Sequence, residues 1–382
     1  MRWSGVTATG TNDAASVNVV ATASVSVVDH SGGRSAAPVA VRAETRARPS
    51  ARVWFVDALR LVAAFQMLQG HTLAALLAPE VRHGAWYTTW SNVRGLTSVA
   101  FLFTAGMALY FAIARDFASQ SSSGASARRS VRALRLVALG YLLHAPLPAL
   151  LMAASVSPGE LRELEAVDVL QCIGVSLLLL ELARLCAPSL RVWLFLVGCG
   201  AVVFALGTPW AHQWAEHAQP RAAATYLGPV FGSQFPLWPW TTHLFAGVLA
   251  AAWIARAPAS AGVRLALLAA ALLGAGRLLV QLGSSGVVID HMYRLGWVAC
   301  VAAGLAWLMR GARKPAPWIL ALATESLFLY VFHVLLVYGR PWGLAAWLGP
   351  RLDAPAALAA ALGVVALSCS AALGYRRLRS LL

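Results

Sequence analysis

About ten apolar stretches follow one another from Val53 to Gly374, each close to the ~20 residues a helix needs to cross a bilayer. We place them at 53–79, 97–115, 132–154, 167–185, 190–208, 236–255, 263–283, 291–309, 317–339 and 355–374. Leu, Ala and Val run on without period-two alternation, which predicts helices and not barrel strands. Charged residues make up only 12% of the 382 residues, against about 25% in a soluble domain. The expected fold is therefore all-α, a polytopic membrane bundle of about ten transmembrane helices over residues 51–382.

Residues 1–50 have no sustained apolar run and read as a disordered tail. Their segment NDAASVNVVATASVSVV is too polar for the core of a signal peptide. Arginines concentrate in alternate connections: Arg115, Arg128, Arg129, Arg132 and Arg135, then Arg184 and Arg191, Arg256 and Arg264, Arg310 with Arg313 and Lys314, and finally Arg376, Arg377 and Arg379. By the positive-inside rule these connections and both termini face the cytoplasm. The net charge of +15 is absorbed by that bias, so a nucleic-acid partner is not needed. The Ala/Arg-rich, nearly Lys-free composition points to a bacterial inner membrane. The five cysteines stand singly in or beside apolar stretches, which predicts neither disulfides nor a metal site.

Polar groups inside such stretches are costly unless they face a cavity or a partner. The first stretch holds Asp57, Arg60, Gln66, Gln69 and His71. Helical spacing puts Asp57, Arg60 and His71 on one stripe, with His71 roughly 16 Å beyond Arg60. Arg60 then sits at the cytoplasmic mouth, where it suits a phosphate-bearing donor. His71 lies deeper, as the candidate base. The alternative reading makes Asp57 and Arg60 a structural ion pair and His71 an interhelical hydrogen-bonder.

Asp168 and Gln171 open the fourth stretch at its outer end, where Asp168 either binds a polar acceptor or caps the helix. Pro236 and Pro239 interrupt the start of the sixth, so backbone groups there need other partners. His243 follows one turn later, as a site candidate or a core hydrogen-bonder. Asp290 and Arg294, spaced i,i+4, read as a structural pair. Ser326, Tyr330 and His333 share a face of the ninth stretch, either as interhelical glue or as the wall of a substrate tunnel.

Three segments carry a family likeness: VDALRLVAAFQMLQGHTLAALL followed by RGLTSVAFLFTAG; VDVLQCIG; and FPLWPW with the later ESLFLYVFH. On these the chain resembles the transmembrane acyltransferase superfamily, nearest to the group with the heparan-α-glucosaminide N-acetyltransferase catalytic domain. Asp57 and Arg60 match its D-x-x-R-G signature, with Leu61 in place of the glycine, and His71 matches its histidine. Val99 stands where a proline is expected. The resemblance implies acyl transfer, in particular acetyl transfer, from cytoplasmic acetyl-CoA or another acyl-CoA to a hydroxyl or amine of an extracytoplasmic saccharide or glycolipid. It implies His71 as base with Asp57 and Arg60. The residues themselves offer Asp168, Gln171, His243, Ser326, Tyr330 and His333 as candidate substrate contacts, and no metal is expected. The expected partners are acyl-CoA, the acceptor and membrane lipid, with a homodimer left open. No G-x-S-x-G or Ser-x-x-Lys nucleophile motif occurs, which favours direct transfer. A proton-coupled secondary transporter of a sugar or lipid is the alternative; the lack of a visible internal repeat and of breaks in matching positions of two halves weighs against it.

Overall fold

The computed structural model describes residues 53–119, 123–146, 157–310, 316–339 and 342–381. The expected tail, 1–50, and the last residues of the third stretch lie outside them. Among the described residues the secondary structure is helical, with one isolated bridge between Leu77 and Leu352. In chain order the helices are α1 (Trp54–Leu76), α2 (Gly84–Arg94), α3 (Leu96–Ser119), α4 (Ser123–His144), α5 (Pro158–Glu165), α6 (Val169–Cys186), α7 (Leu190–Leu206) and α8 (Thr208–Ala215). They continue as α9 (Arg221–Leu227), α10 (Leu237–Ala255), α11 (Ala261–Gln281), α12 (Val287–Leu308), α13 (Pro317–Thr324), α14 (Ser326–Tyr338), α15 (Leu344–Leu348) and α16 (Ala354–Leu381).

Apolar helices make this a membrane protein, and length and apolarity alone account for part of the expected count of about ten spans. Among the described residues four helical segments are long and apolar enough to cross a bilayer, and six are if each of two bent pairs counts as one span. Helices α1, α10 and α12 are long enough and fall short in apolarity. The cause is their polar residues: Gln66, Gln69 and His71 in α1, His243 in α10, His291 and Arg294 in α12.

The bent pairs are breaks that hydropathy does not register. Helices α7 and α8 meet at 58°, and α13 and α14 at 67°. The second bend falls at Glu325 and splits the expected ninth stretch. The two breaks do not occupy matching positions in two halves of the chain.

Helix α1 is packed against α3, α12, α13, α14 and α16, while α10 packs on α3, α6 and α7. The α3–α10 crossing requires two glycines. A Cβ on Gly106 would stand 1.9 Å from the carbonyl oxygen of Leu244, and one on Gly247 would stand 2.0 Å from that of Phe103. Small residues let membrane helices approach this closely, where dispersion replaces the hydrophobic effect as the driving force.

The two ends of the bundle differ. At one end α3, α4 and α6 are tied through Arg129, which pairs with Asp116 at 2.6 Å and with Glu181. Ser126 donates to the same Glu181 at 2.8 Å. Burial works against the Arg129 charge, but the hydrogen bonds to Glu181 and Asp116 outweigh it and hold its pKa above the ordinary value. Exposed Arg115, Arg128, Arg132, Arg191, Arg256 and Arg310 surround this end. The opposite end gathers the C-terminal half of α1 and the starts of α3, α6, α10 and α12. Every histidine pair described below lies there.

Candidate active site

Helix α1 delivers His71 to this second end, and the break at Glu325 swings α14 alongside it. His71 Nδ1 and His333 Nε2 are 2.9 Å apart, with ring centroids at 5.1 Å. The other nitrogen of His333, Nδ1, is 2.9 Å from the carbonyl of Leu329. A carbonyl only accepts, so Nδ1 of His333 carries a proton, and Nε2 of the neutral ring is an acceptor. His71 must then donate from Nδ1. Its Nε2 is left with a lone pair, the state a general base requires.

The arrangement extends beyond the pair. Tyr330 stands edge-on to His333 at 5.6 Å and donates from its hydroxyl to Asp168 Oδ2 at 2.6 Å. Asp168 Oδ1 accepts from the Val169 N–H at 2.7 Å, and the Asp168 N–H donates to Gln171 Oε1 at 3.2 Å. Asp168 thus both caps α6 and receives Tyr330. Gln171 is fully buried against Gly140, where a Cβ would come within 2.3 Å of its side-chain oxygen. At the far side of His71, Tyr338 donates to the His71 carbonyl at 3.0 Å and meets its ring edge-on at 6.0 Å.

Five of the sequence candidates therefore come together: His71, Asp168, Gln171, Tyr330 and His333. Ser326 lies on the same face of α14, two turns and roughly 10 Å from His333. Asp57 and Arg60 are half-buried in the first two turns of α1, roughly 16–21 Å along the helix from His71. They belong to the other end of the bundle and are not part of the histidine group.

His243 is drawn into a separate pair. Its Nε2 is 2.7 Å from His291 Nδ1, the rings are stacked with centroids 5.0 Å apart, and Trp240 stands edge-on to both. The expected Asp290–Arg294 pairing gives way to another contact: Asp290 is exposed, and Arg294 donates to the Gly95 carbonyl at 3.3 Å. The backbone irregularity foreseen at Pro236 and Pro239 falls on Trp238, which is non-helical, and its carbonyl receives the ring of His212 at 2.9 Å.

The sequence places Arg94 at the outer entrance of the second stretch but does not disclose its contacts, nor the His243–His291 pair or the role of Tyr338. The stem of Arg94 rests on Gly70, where a Cβ would stand 2.9 Å from Arg94 Cγ. Its guanidinium lies 5.3 Å from the Trp90 ring centroid, and Trp90 itself donates to Gln69 at 3.2 Å. A small residue directly before the motif histidine was the available signal. Among the described residues, no group of three or more His, Cys, Asp or Glu is placed to hold a metal ion.

The family described as "Heparan-alpha-glucosaminide N-acetyltransferase, catalytic" matches residues 52–289, well over half of the chain. The match takes in Asp57, Arg60, His71, Arg94, Asp168, Gln171 and His243, and stops before Tyr330 and His333. No curated protein and no solved structure gives a match. The chain belongs to the heparan-alpha-glucosaminide N-acetyltransferase catalytic family, a family of transferases.

Proposed function

We propose that this protein is a membrane acyltransferase that moves an acyl group, in particular acetyl, from acyl-CoA to a hydroxyl or amine of a saccharide or glycolipid. The observation that carries the reading is the locked pair of His71 and His333. It leaves a neutral imidazole with a free Nε2, inside the matched region, at one end of a bundle whose other end is rich in arginine. His71 Nε2 takes the proton of the attacking group. His333 is a positioning residue that fixes the tautomer and tilt of the base, in place of the substrate contact expected of it. Tyr330 and Asp168 fix the helix carrying His333 against the start of α6. Arg60, with Asp57 beside it, lies on the donor side, where the exposed arginines suit the phosphates of CoA.

In this reading the arginine-rich end faces the cytoplasm of an inner membrane, and the histidine end faces outward toward the acceptor. The family supports a transferase, and the charge asymmetry supports the orientation. The test is purified full-length protein in detergent with radiolabelled acetyl-CoA. Slow thioester hydrolysis, and transfer to glucosamine as a probe acceptor, are expected, both lost in His71→Ala. Proton-coupled uptake of a sugar into vesicles, with no affinity for CoA, would establish the transporter instead.

A further inference from the structure

An acyl transfer needs more than a base. When the acceptor lone pair attacks the thioester carbon, the carbonyl π electrons move onto oxygen, and that oxyanion must meet a donor already in place. Beside His71 the two tyrosines and His333 are committed. The Tyr338 hydroxyl donates to the His71 carbonyl, the Tyr330 hydroxyl donates to Asp168, and both nitrogens of His333 are engaged.

Arg94 is not. Among the described residues its guanidinium makes a cation–π contact with Trp90 and no hydrogen bond, which leaves five N–H donors. It is held in place from three directions. Gly70, immediately before His71, admits its stem. Trp90, under its guanidinium, is tied to Gln69 of α1. The carbonyl of the next residue, Gly95, receives Arg294 from α12. The charge of Arg94 acts on both His71 and Tyr338. A permanently charged, half-buried fork anchored on a helix beside the base is the arrangement that oxyanion stabilisation asks of a protein.

We infer that Arg94 is the oxyanion donor of this site, a catalytic residue that binds the thioester carbonyl oxygen and holds its negative charge as the tetrahedral intermediate forms. The inference rests on the acyltransferase reading. The acceptor's nitrogen or oxygen bonds to the acyl carbon while His71 Nε2 takes its proton. Collapse of the intermediate restores the C=O bond, breaks the C–S bond and expels CoA as thiolate, which takes the proton back from His71. Arg94 remains protonated throughout.

The experiment compares wild type, Arg94→Gln and Arg94→Lys in acetyl-CoA hydrolysis without acceptor and in transfer to glucosamine. Arg94→Gln is expected to lower kcat in both assays by about 100-fold or more, with KM values little changed. Arg94→Lys retains more activity, and low concentrations of guanidinium ion restore part of the activity of Arg94→Ala. Gly70→Ala, which crowds the stem but keeps the charge, lowers kcat in the same way and serves if the Arg94 variants fail to fold. An Arg94→Gln protein with unchanged kcat, or one with only a raised glucosamine KM, overturns the assignment, the latter making Arg94 an acceptor-binding group. Wild-type protein without any acetyl-CoA turnover would instead sink the acyltransferase reading itself.

Discussion

His71 donates from Nδ1 to Nε2 of His333 over 2.9 Å, joining two residues 262 positions apart in the chain. The bond sets which face of the imidazole is basic, because the Leu329 carbonyl has already fixed the tautomer of His333. His333→Ala should therefore slow acetyl-CoA turnover by roughly 100-fold, within the range general-base catalysis supplies. Affinity for CoA should stay near wild type. Turnover kinetics alongside equilibrium CoA binding checks this; an equal loss of binding would assign His333 to the donor site.

Tyr330→Phe removes the hydroxyl that reaches Asp168 at 2.6 Å and leaves the ring in place against His333. A hydrogen bond to a charged group contributes about 1.5–3 kcal/mol, so the variant should melt at a lower temperature in detergent. Its kcat should fall less than that of His333→Ala. A larger kcat loss with unchanged melting would make Tyr330 part of the chemistry.

Glu181 is buried in an otherwise apolar run of α6 and is tied to both Arg129 and Ser126. Glu181→Gln should destabilise the fold by about 1–3 kcal/mol, less than a fully orphaned charge because Asp116 still faces Arg129. Thermal unfolding in detergent measures it. Unchanged stability would show that the network contributes nothing.

Orientation is testable without reference to activity. In a cysteine-free background, Ala222→Cys at the histidine end should react with an impermeant maleimide in intact cells. Ala127→Cys at the arginine-rich end should react only after permeabilisation. Both positions are exposed, so the reverse pattern would invert the proposed donor and acceptor sides.

The apolar stretches were legible because lipid leaves a plain signature: α1, α3, α7 and α10 lie within a few residues of where hydropathy puts them. The number of spans was less so. A helix that carries Gln69 and His71, or His291 and Arg294, is too polar by composition to be told from an interhelical segment, and burial against neighbours, which the sequence does not display, is what accommodates those groups. The bend at Glu325 was hidden too, since no glycine or proline marks it. The site was legible residue by residue but not in its connections. Spacing put Tyr330 and His333 on one face, and the motif pointed to His71. Nothing local says that His333 turns to His71 while His243 turns to His291, because such pairings depend on how separate helices pack.

A double-mutant cycle on His71 and His333 in acetyl-CoA turnover separates orientation of the base from an independent role of His333. If His333 acts only by orienting His71, removing it has no further effect once the base is gone. His71→Gln combined with His333→Gln should then turn over at the rate of His71→Gln alone. Losses that multiply, each substitution exacting its full effect in the presence of the other, would contradict it.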